Sequence, residues 1–487
     1  MNRETTSLLH TVLPGRWWET ASAIARPYLK FKGKTLNDLT GALDEYLARG
    51  IDTLEIFAPC QGGVCYHGLD TLDFYKIDPA IGKMEDFHHL VAEAHARRIA
   101  IIIFVNLGYG HEQFPAFLKA CDDMRAGIGS PETHMFLWSD TGQDRMDRSR
   151  APYFMNDSHG NWRWSERAGK FFWVKWEGEK GGYHLPQFNF GDAGWQEEVR
   201  RIVRFWLATG IDGMVIDAVN WYIDCTWEIC RSTMTSVIGE GDNQFCQPEG
   251  AGGFRDDPVE WITHGGWNCI MDYSIKLWWE GVDVIRDAIL SGDPRPVEAA
   301  LHRYRDRVVA AGGVCYIDPP TLTDFPLEAQ AMGAALTASL GEMVLLLGNL
   351  STRLEPGDIQ DPIYQVELAY RAGLDRLLQL RRRCPALCAG GERRQLPTSD
   401  DARFYAFLRG SADSELALAV FNFQPTTQPV TVDLAGQSIH FLEDLLSEEQ
   451  VIPAGNTLSL HLPAYGYKIY KIKGYDSGYG GKTPNLR

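Results

Sequence analysis

Two acidic side chains stand where short apolar runs of the chain end, and they are the first candidates for chemistry. Asp217 follows GMVI in the run 213–219. Glu249 is the next-to-last residue of the run 243–250, which reads NQFCQPEG. Barrel enzymes place their reacting groups at the carboxyl ends of the strands. Glu240, in SVIGEGDN, is an alternative partner for Asp217, but it falls at a helix end before the second run. Asp217 and Glu249 are therefore candidate functional residues, with Glu249 preferred over Glu240 because it falls at a strand end.

Eight strand-like apolar runs alternate with amphipathic stretches and must position these acids. Helical patterns over 36–50, 84–98 and 194–210 separate some of the runs, and Gly210 is placed to end the last helix. Strands that alternate with helices of this length predict βαβ units, and eight units predict a closed (β/α)8 TIM barrel in the α/β class. The runs are 24–29, 51–59, 99–106, 213–219, 243–250, 268–275, 308–318 and 342–349.

Two segments lie outside this alternation. Residues 108–190 show no long helical pattern and are rich in Gly, Asp, Trp and Phe, which predicts an inserted lid or specificity wall after the third strand. Five period-two runs from about 390 onward predict an antiparallel β-domain. The predicted domains are a catalytic barrel over 1–107 and 191–388, the aromatic-rich insertion over 108–190, a C-terminal β-sandwich over 389–473 and a flexible tail over 474–487.

Composition narrows the class of protein. The 487 residues are 45% hydrophobic and 23% charged, close to ordinary globular usage. A net charge of −17 repels phosphate backbones, so we expect no nucleic-acid partner. The best uncharged apolar run, 343–350, is too short to span a bilayer, so we expect no membrane association. The sequence gives no prediction of the oligomeric state.

The cysteines and the N-terminal segment predict a cytoplasmic protein. The ten cysteines are scattered, which indicates reduced thiols rather than a disulfide framework. The close pairs Cys60/Cys65 and Cys384/Cys388 have no matching His or Cys cluster, so no zinc site is expected. The first residues, MNRETTSLLHTVLPGRWW, lack the long apolar segment of a signal peptide.

Several longer motifs resemble the α-amylase family, glycoside hydrolase family 13, in particular its branch of oligo-1,6-glucosidases, α-glucosidases, sucrose isomerases and trehalose synthases. HGLDTLDFYKIDPAIGKMEDFHHLVAEAHARRI is similar to the family's HGYDT segment, and RFWLATGIDGMVIDAVNW is similar to its fourth-strand motif. LAYRAGLDRLLQLRRRCPALCAGG resembles the last barrel helix, and VFNF with PAYGYKIYKI resembles the C-terminal β-domain. The resemblance implies the barrel, the insertion after strand three and the C-terminal domain.

The resemblance also implies roles for the two acids. The family's chemistry uses two carboxyl groups about 5–5.5 Å apart, one attacking the anomeric carbon and the other protonating the leaving oxygen. Asp217 matches the nucleophile, and Glu249 becomes the acid/base. Both acids being merely polar loop residues is the alternative, although it explains two acids at matching barrel positions poorly.

Other positions of the family pattern are changed here, mostly toward apolar residues. The fourth-strand arginine is replaced by Val215. The basic residue and the His that follow the family's nucleophile are replaced by Asn220 and Trp221. The first-motif Asp and His align with Ile102 and Leu107, which leaves Asn106. The stacking Tyr is Leu69, the insertion's acid is Gln187, and the seventh-strand Asn-His-Asp reads Asp318-Pro319-Pro320. Substrate contacts are predicted at His67, Asp70, Asn106, Val215, Trp221 and Asp318, with no cofactor, no metal and no structural calcium.

Three functions stay open at this stage. The first is a retaining α-glycosidase, transglycosidase or isomerase that acts on an unusual small-molecule α-glycoside through Asp217 and Glu249. The second is a catalytically inactive descendant that binds a sugar or a protein in the old cleft. The third is a different reaction of the surviving acid pair, since loss of the arginine beside Asp217 predicts a raised pKa for that carboxyl. A replacement cation from Arg148, Arg150 or Arg163 of the insertion is a further possibility.

Overall fold

A computed structural model provides the structure of the protein. The described residues are 13, 15–63, 68–144, 161–177, 183–241, 244–253, 256–277, 280–322, 324–348, 368–410, 415–434 and 438–476.

Eight parallel strands form the predicted barrel, one for each apolar run. They are β1 Ala23–Pro27, β2 Thr53–Phe57, β3 Ala100–Val105, β4 Gly213–Ile216, β5 Phe245–Pro248, β6 Cys269–Met271, β7 Val314–Ile317 and β8 Met343–Gly348. Hydrogen bonds join them in the order β5-β4-β3-β2-β1-β8-β7-β6. The two ends of this order approach each other, because the Asn268 N–H donates to the Cys246 carbonyl at 3.3 Å. The strands therefore make a nearly closed barrel, as the sequence predicts.

Helices surround the barrel where the amphipathic patterns predict them. The predicted helix over 36–50 is divided at Ala42, and the Thr35 side chain caps its first half. The helix predicted over 194–210 begins after Asp192, whose carboxylate accepts from the Trp195 N–H. The main helices are Leu36–Gly41, Leu43–Ala48, Met84–Ala96, Ala193–Leu207, Pro258–Thr263, Val284–Ser291, Arg295–Arg303, Arg305–Ala310, Leu327–Ser339 and Leu368–Arg383.

Side chains alternate between the inside and the outside of the barrel. Ile24, Ile102, Val215 and Tyr316 belong to one buried cluster, which fills the barrel and includes Trp17 and Trp18. Their neighbours along the strands belong to the cluster that packs on the helices, such as Ala25, Ile103, Met214 and Ile317. Because the period is two, residues two positions beyond an inward side chain also face inward, at the carboxyl end of the strand.

An ion pair lies inside the barrel, where apolar side chains would be expected. Arg26 of β1 donates through Nε and Nη2 to the two carboxylate oxygens of Glu55 on β2. Only 2% of the Glu55 side chain is exposed, and the Arg26 guanidinium lies 4.7 Å from the centroid of the Phe104 ring. The Arg26 guanidinium of this pair therefore lies at a fixed place below the strand ends.

The inserted region contains a small antiparallel sheet and a helix. The sheet strands are Trp138–Ser139, Asn161–Ser165, Lys170–Glu177 and His184–Pro186. The prediction of no long helix was wrong, because Pro115–Ala126 forms a helix of 12 residues that ends at the left-handed Gly127. Its buried side chains are Phe117, Ala120 and Cys121, a stripe too narrow and too small to give a clear apolar periodicity. A further hairpin, Cys60–Gly62 with Thr71–Ile77, follows β2.

The C-terminal region forms the predicted antiparallel domain. Its strands are β9 Arg393–Leu396, β10 Phe404–Gly410, β11 Leu416–Asn422, β12 Gln428–Asp433, β13 Ser438–Asp444, β14 Gln450–Val451, β15 Thr457–Leu462 and β16 Tyr467–Asp476. One sheet has the order β9-β10-β11-β16-β13-β14, and β12 pairs with β15. The five predicted strands are confirmed, while β9, β13 and β14 were missed. No helix among the described residues is long and apolar enough to cross a membrane.

Replacing Glu55 by Leu should strongly destabilise the barrel. It leaves the Arg26 guanidinium unpaired inside the protein, at a cost of about 3–5 kcal/mol. The urea midpoint, followed by tryptophan fluorescence, should fall accordingly, and the double variant Arg26→Leu/Glu55→Leu should recover most of the loss. Glu240→Gln, which breaks an exposed pair with Arg204, serves as the control and should change little. A double variant as unstable as Glu55→Leu would contradict this account.

Candidate active site

Asp217 lies at the end of β4 and faces into the mouth of the barrel. Its N–H donates to the Val105 carbonyl at 2.8 Å, so the ladder with β3 extends one residue beyond the strand. The next residue, Ala218, has a φ of 46°, and this left-handed conformation turns the chain away from the barrel. Tyr222 donates its hydroxyl to the Asp217 carbonyl at 2.8 Å and fixes the turn. Only 7% of Asp217 is exposed.

Glu249 occupies the corresponding position at the end of β5. Its N–H donates to the Ile216 carbonyl at 2.8 Å, and its Oε2 accepts from the Ala218 N–H at 3.1 Å. The Glu249 carboxylate therefore touches the residue that follows Asp217. Glu240, the alternative, lies on the surface, where its carboxylate pairs with Arg204 at 2.8 Å. Of the two candidate partners, the fold brings Glu249 to Asp217.

The two acids share a site that disfavours their charged forms. Burial, followed by the proximity of Glu249, raises the pKa of Asp217. A hydrogen bond from the Tyr109 hydroxyl to Asp217 Oδ2, at 2.8 Å, and the charges of Arg26 and Lys175 act in the opposite direction. Burial also raises the pKa of Glu249, against the Ala218 N–H and Arg26. The predicted raised pKa of Asp217 is confirmed in direction and has burial as its main cause.

Two cations among the described residues act on Asp217, and the sequence reasoning missed both. Arg26 reaches the site from β1 and Lys175 from the inserted sheet. A signal was present for both, because each is a charged residue inside an otherwise apolar strand run. Arg163 instead donates to the Trp162 carbonyl at 3.2 Å, while Arg148 and Arg150 lie outside the described residues.

The segment after β3 carries two further side chains that the sequence reasoning passed over. Asn106 donates to the carbonyls of Leu69 and Tyr109 and accepts from the N–H groups of Gly108 and Tyr109. This bracing brings Tyr109, the first of the two, to Asp217. These hydrogen bonds use both the Nδ2 and the Oδ1 atom of Asn106. Substrate binding by Asn106 stays a prediction.

The remaining predicted contacts are spread around the mouth. Asp70 is fully buried, with Oδ2 3.9 Å from Nε2 of His111, the second residue that was missed. Asp318 is buried at the end of β7 and has one oxygen, Oδ1, without a hydrogen-bond partner among the described residues. Val215 fills the barrel below Asp217, and Trp221 lies on the turn after it. His67 lies outside the described residues.

Comparisons with known proteins agree with this geometry. Residues 48–247 match the α-amylase catalytic domain, and residues 393–469 match the maltogenic amylase C-terminal domain. The first match contains Asp217 and ends two residues before Glu249. These matches show α-amylase-family domains in the chain.

Curated relatives align with only part of the chain. It is 26% identical over 213 residues to an α-amylase 3 of Dictyoglomus thermophilum, covering 43% of this chain and 38% of that protein. It is 30% identical over 187 residues to a trehalose synthase of Pimelobacter, covering 38% of this chain and 30% of that protein. The chain thus spans well under half the length of these curated relatives.

The solved structures extend the likeness over the whole fold. A mutant of the trehalulose synthase MutB has a TM-score of 0.69 and 17% identity, and the match covers 94% of this chain and all of that one. Amy13B of Eubacterium rectale has a TM-score of 0.70 and 15% identity, covering 95% of this chain and 97% of that one. At these identities the comparison establishes a shared fold.

The aromatic side chains of the insertion mostly pack against each other. Phe172 is buried between Phe117 and Trp138, and Trp164 packs edge-on against Phe171. Trp173 donates Nε1 to the Gln187 Oε1 at 3.1 Å, so the residue in the place of the family acid has a bracing position.

One group of potential metal ligands exists among the described residues, away from the acid pair. Asp272 directly after β6, Cys315 on β7 and Glu342 directly before β8 are buried, with ligand atoms within 4.8 Å of one another. Burial and the proximity of Asp272 raise the pKa of Glu342 well above its usual range. A shared proton can therefore stabilise this pair of carboxyl groups without a metal.

Asp217→Asn should stabilise the protein at pH 8 more than at pH 4. A folded pKa above the unfolded one means that the native state holds a proton that the unfolded chain releases, so stability falls as the pH rises through this interval. The amide of the variant cannot ionise, so its free energy of unfolding does not fall for this reason as the pH rises. Thermal unfolding of both proteins across this pH range is the measurement. Glu240→Gln is the control without a gain, because Arg204 lowers the pKa of Glu240. An equal effect of Asp217→Asn at both pH values would contradict the proposed burial penalty.

Proposed function

We propose that the protein is a retaining α-glycosidase, transglycosidase or glycosyl isomerase that acts on a small, unusual α-glycoside. Asp217 is the nucleophile and Glu249 is the acid/base. The observation that carries the proposal is the hydrogen bond from the Ala218 N–H to Glu249 Oε2, which holds the second carboxyl against the turn that presents the first.

The proposed reaction has two balanced steps. An ionised Asp217 oxygen bonds to the anomeric carbon while the glycosidic bond breaks and Glu249 transfers its proton to the leaving oxygen. Glu249, now a carboxylate, then takes a proton from water or a sugar hydroxyl, which attacks the same carbon and releases Asp217. The hydrogen bond from Tyr109 and the charge of Arg26 favour the ionised Asp217 that the first step needs.

The lining of the pocket supports an unusual substrate. Where the family has polar groups, this chain has Val215 and Leu69, both buried in the barrel interior. A sugar hydroxyl that is buried against such a side chain without a hydrogen-bond partner weakens the binding free energy by about 1–3 kcal/mol. Substrates with fewer hydroxyls near the reacting ring, or with an apolar aglycone, fit this lining better than plain maltose.

The names of the relatives suggest where to begin. They include trehalose synthases, a probable α-glucosidase and a trehalose-6-phosphate hydrolase. We propose α-linked disaccharides and aryl α-glucosides as the first candidates, and a cytoplasmic setting in keeping with nine buried cysteine thiols among the described residues.

Product analysis by NMR with maltose, isomaltose, sucrose, trehalose, aryl α-glucosides and plant-type glycosides tests the proposal. The first product should carry the α-configuration, and Asp217→Asn should reduce turnover by at least a thousandfold. A 5-fluoro-α-glucosyl fluoride should attach to Asp217, which peptide mass spectrometry detects.

Glu249→Gln should separate the acid from the nucleophile. It should lose turnover of disaccharides but keep the first step on an aryl glucoside with a good leaving group, because that bond breaks without a proton. Glu240→Gln is the matched control and should behave as wild type. No turnover of any substrate and no labelling of Asp217 at high protein concentration would overturn the proposed function.

A further inference from the structure

A tyrosine hydroxyl contacts the carboxylate that we propose as the nucleophile. Tyr109, in the segment after β3, donates its hydroxyl to Asp217 Oδ2 at 2.8 Å. Only 1% of Tyr109 and 7% of Asp217 are exposed, so water competes little for this hydrogen bond. A hydrogen bond to a carboxylate is stronger in such surroundings than at the surface. The phenol therefore orients the carboxylate and favours its ionised form.

Tyr109 is held in place by its own segment and by the inserted sheet. Asn106 donates to the Tyr109 carbonyl at 2.6 Å and accepts from the Tyr109 N–H at 3.3 Å. The next residue, Gly110, donates its N–H to the carbonyl of Pro186 at 3.0 Å, and Pro186 ends the strand His184–Pro186. The backbone of Tyr109 therefore cannot move away from Asp217 without breaking these hydrogen bonds.

A second tyrosine joins the same segment to the backbone of Asp217. Tyr222 accepts from the Leu107 N–H at 3.0 Å and donates its hydroxyl to the Asp217 carbonyl at 2.8 Å. Its ring lies so close to Gly108 that a Cβ there would be 2.2 Å from Cε1, which only glycine avoids. The segment 107–109 is thus linked to Asp217 at both the main chain and the carboxylate.

We propose that Tyr109 is the positioning residue of the nucleophile, because it holds Oδ2 of Asp217 and leaves Oδ1 to attack the anomeric carbon. The inference rests on the proposed function. The side chain of Val215, below Asp217 on β4, has no hydrogen-bond donor. Arg26 donates through Nε and Nη2 to Glu55. The donor for the carboxylate therefore comes from the segment after β3.

This assignment defines the course of both chemical steps. An electron pair of Oδ1 forms the bond to the anomeric carbon, and the glycosidic bond breaks with its electron pair going to the leaving oxygen, which takes the proton of Glu249. Tyr109 keeps its proton throughout. Oδ2 of Asp217 is a carboxylate oxygen before the first step and the carbonyl oxygen of the ester after it. In the second step the same hydrogen bond stabilises the carboxylate that leaves the carbon.

Other titratable groups also act on Asp217. They come from β1, the inserted sheet, the turn after β4 and the end of β5, and they are Arg26, Lys175, Tyr222 and Glu249. Burial and the proximity of Glu249 raise the pKa of Asp217, whereas the hydrogen bond from Tyr109 and the two cations lower it. Removal of the Tyr109 hydroxyl should therefore raise this pKa further.

An NMR titration tests the hydrogen bond without turnover. In protein labelled with [13Cγ]aspartate, the Asp217 signal is the one that is missing from Asp217→Asn. Its titration midpoint should rise by about one unit in Tyr109→Phe, because the ionised form loses its donor. Tyr75→Phe is the matched control and should leave the midpoint unchanged. Tyr75 also donates to a carboxylate at 2.8 Å, that of Glu198, but at the surface.

Two measurements on the active enzyme test the role in the reaction. The acid limb of the kcat/KM profile should move up by about one unit in Tyr109→Phe, a tenfold loss at pH values below the limb, and should not move in Tyr75→Phe. A crystal structure of the wild-type 5-fluoroglucosyl intermediate should show the ester bond at Oδ1 of Asp217. The Tyr109 hydroxyl should remain within hydrogen-bond distance of Oδ2.

These measurements distinguish the two possible failures. A midpoint that rises in Tyr109→Phe, in a protein that turns over no glycoside and takes no label, would refute the proposed function but retain the control of Asp217 ionisation by Tyr109. An unchanged midpoint, an acid limb equal to wild type in an active Tyr109→Phe enzyme, or an ester bond at Oδ2 would overturn the role of Tyr109.

Discussion

The interaction on which the site depends is the ion pair between Arg26 and Glu55 inside the barrel. Buried carboxyl groups at the strand ends repel one another and lose hydration, so their ionisation needs a nearby cation. The charge of Arg26 opposes the rise in pKa that burial causes at Asp217 and Glu249, and at Asp318 it adds to the larger effect of Lys276. Glu55 in turn fixes the guanidinium through two hydrogen bonds. The Arg26 guanidinium, held by Glu55, therefore acts on three acids at the ends of three different strands, while the charge of Glu55 itself raises the pKa of Glu249.

The inserted region is part of the site and not merely a cover. Its sheet contributes Lys175, and Gln187 joins that sheet to the turn after Asp217. The family position of Gln187 carries an acid, so the change from a charged to a neutral side chain replaces a potential substrate contact by an internal brace. Val215, in the place of the family's arginine, and Leu69, in the place of its stacking Tyr, are both buried in the cluster that fills the barrel.

Buried arginines of the C-terminal domain form ion pairs and hydrogen bonds with the barrel. Arg393 of β9 pairs with Asp306 at 2.7 Å and with Glu298, on the helices that precede β7. Arg409 of β10 donates to the Cys388 carbonyl at 2.6 Å, and its guanidinium lies so close to Gly341 that a Cβ there would be 2.0 Å from Nη2. Since Gly341 has a φ of 100°, both the backbone and the arginine require glycine just before β8.

The sequence by itself determined the barrel, the pair Asp217 and Glu249, and the C-terminal sheet. The barrel and the C-terminal sheet follow from local periodicity, whereas the pair follows from the resemblance to the α-amylase family together with the rule that barrel catalysis sits at the carboxyl ends of strands. It did not predict the helix Pro115–Ala126, whose apolar stripe is small, or the strands β9, β13 and β14. Only the tertiary structure shows that Arg26 and Lys175 lie where they influence the pKa of Asp217. Residues 26, 175 and 217 are far apart in the chain, and a charge acts through space, so no spacing along the sequence could choose them over Arg148, Arg150 or Arg163.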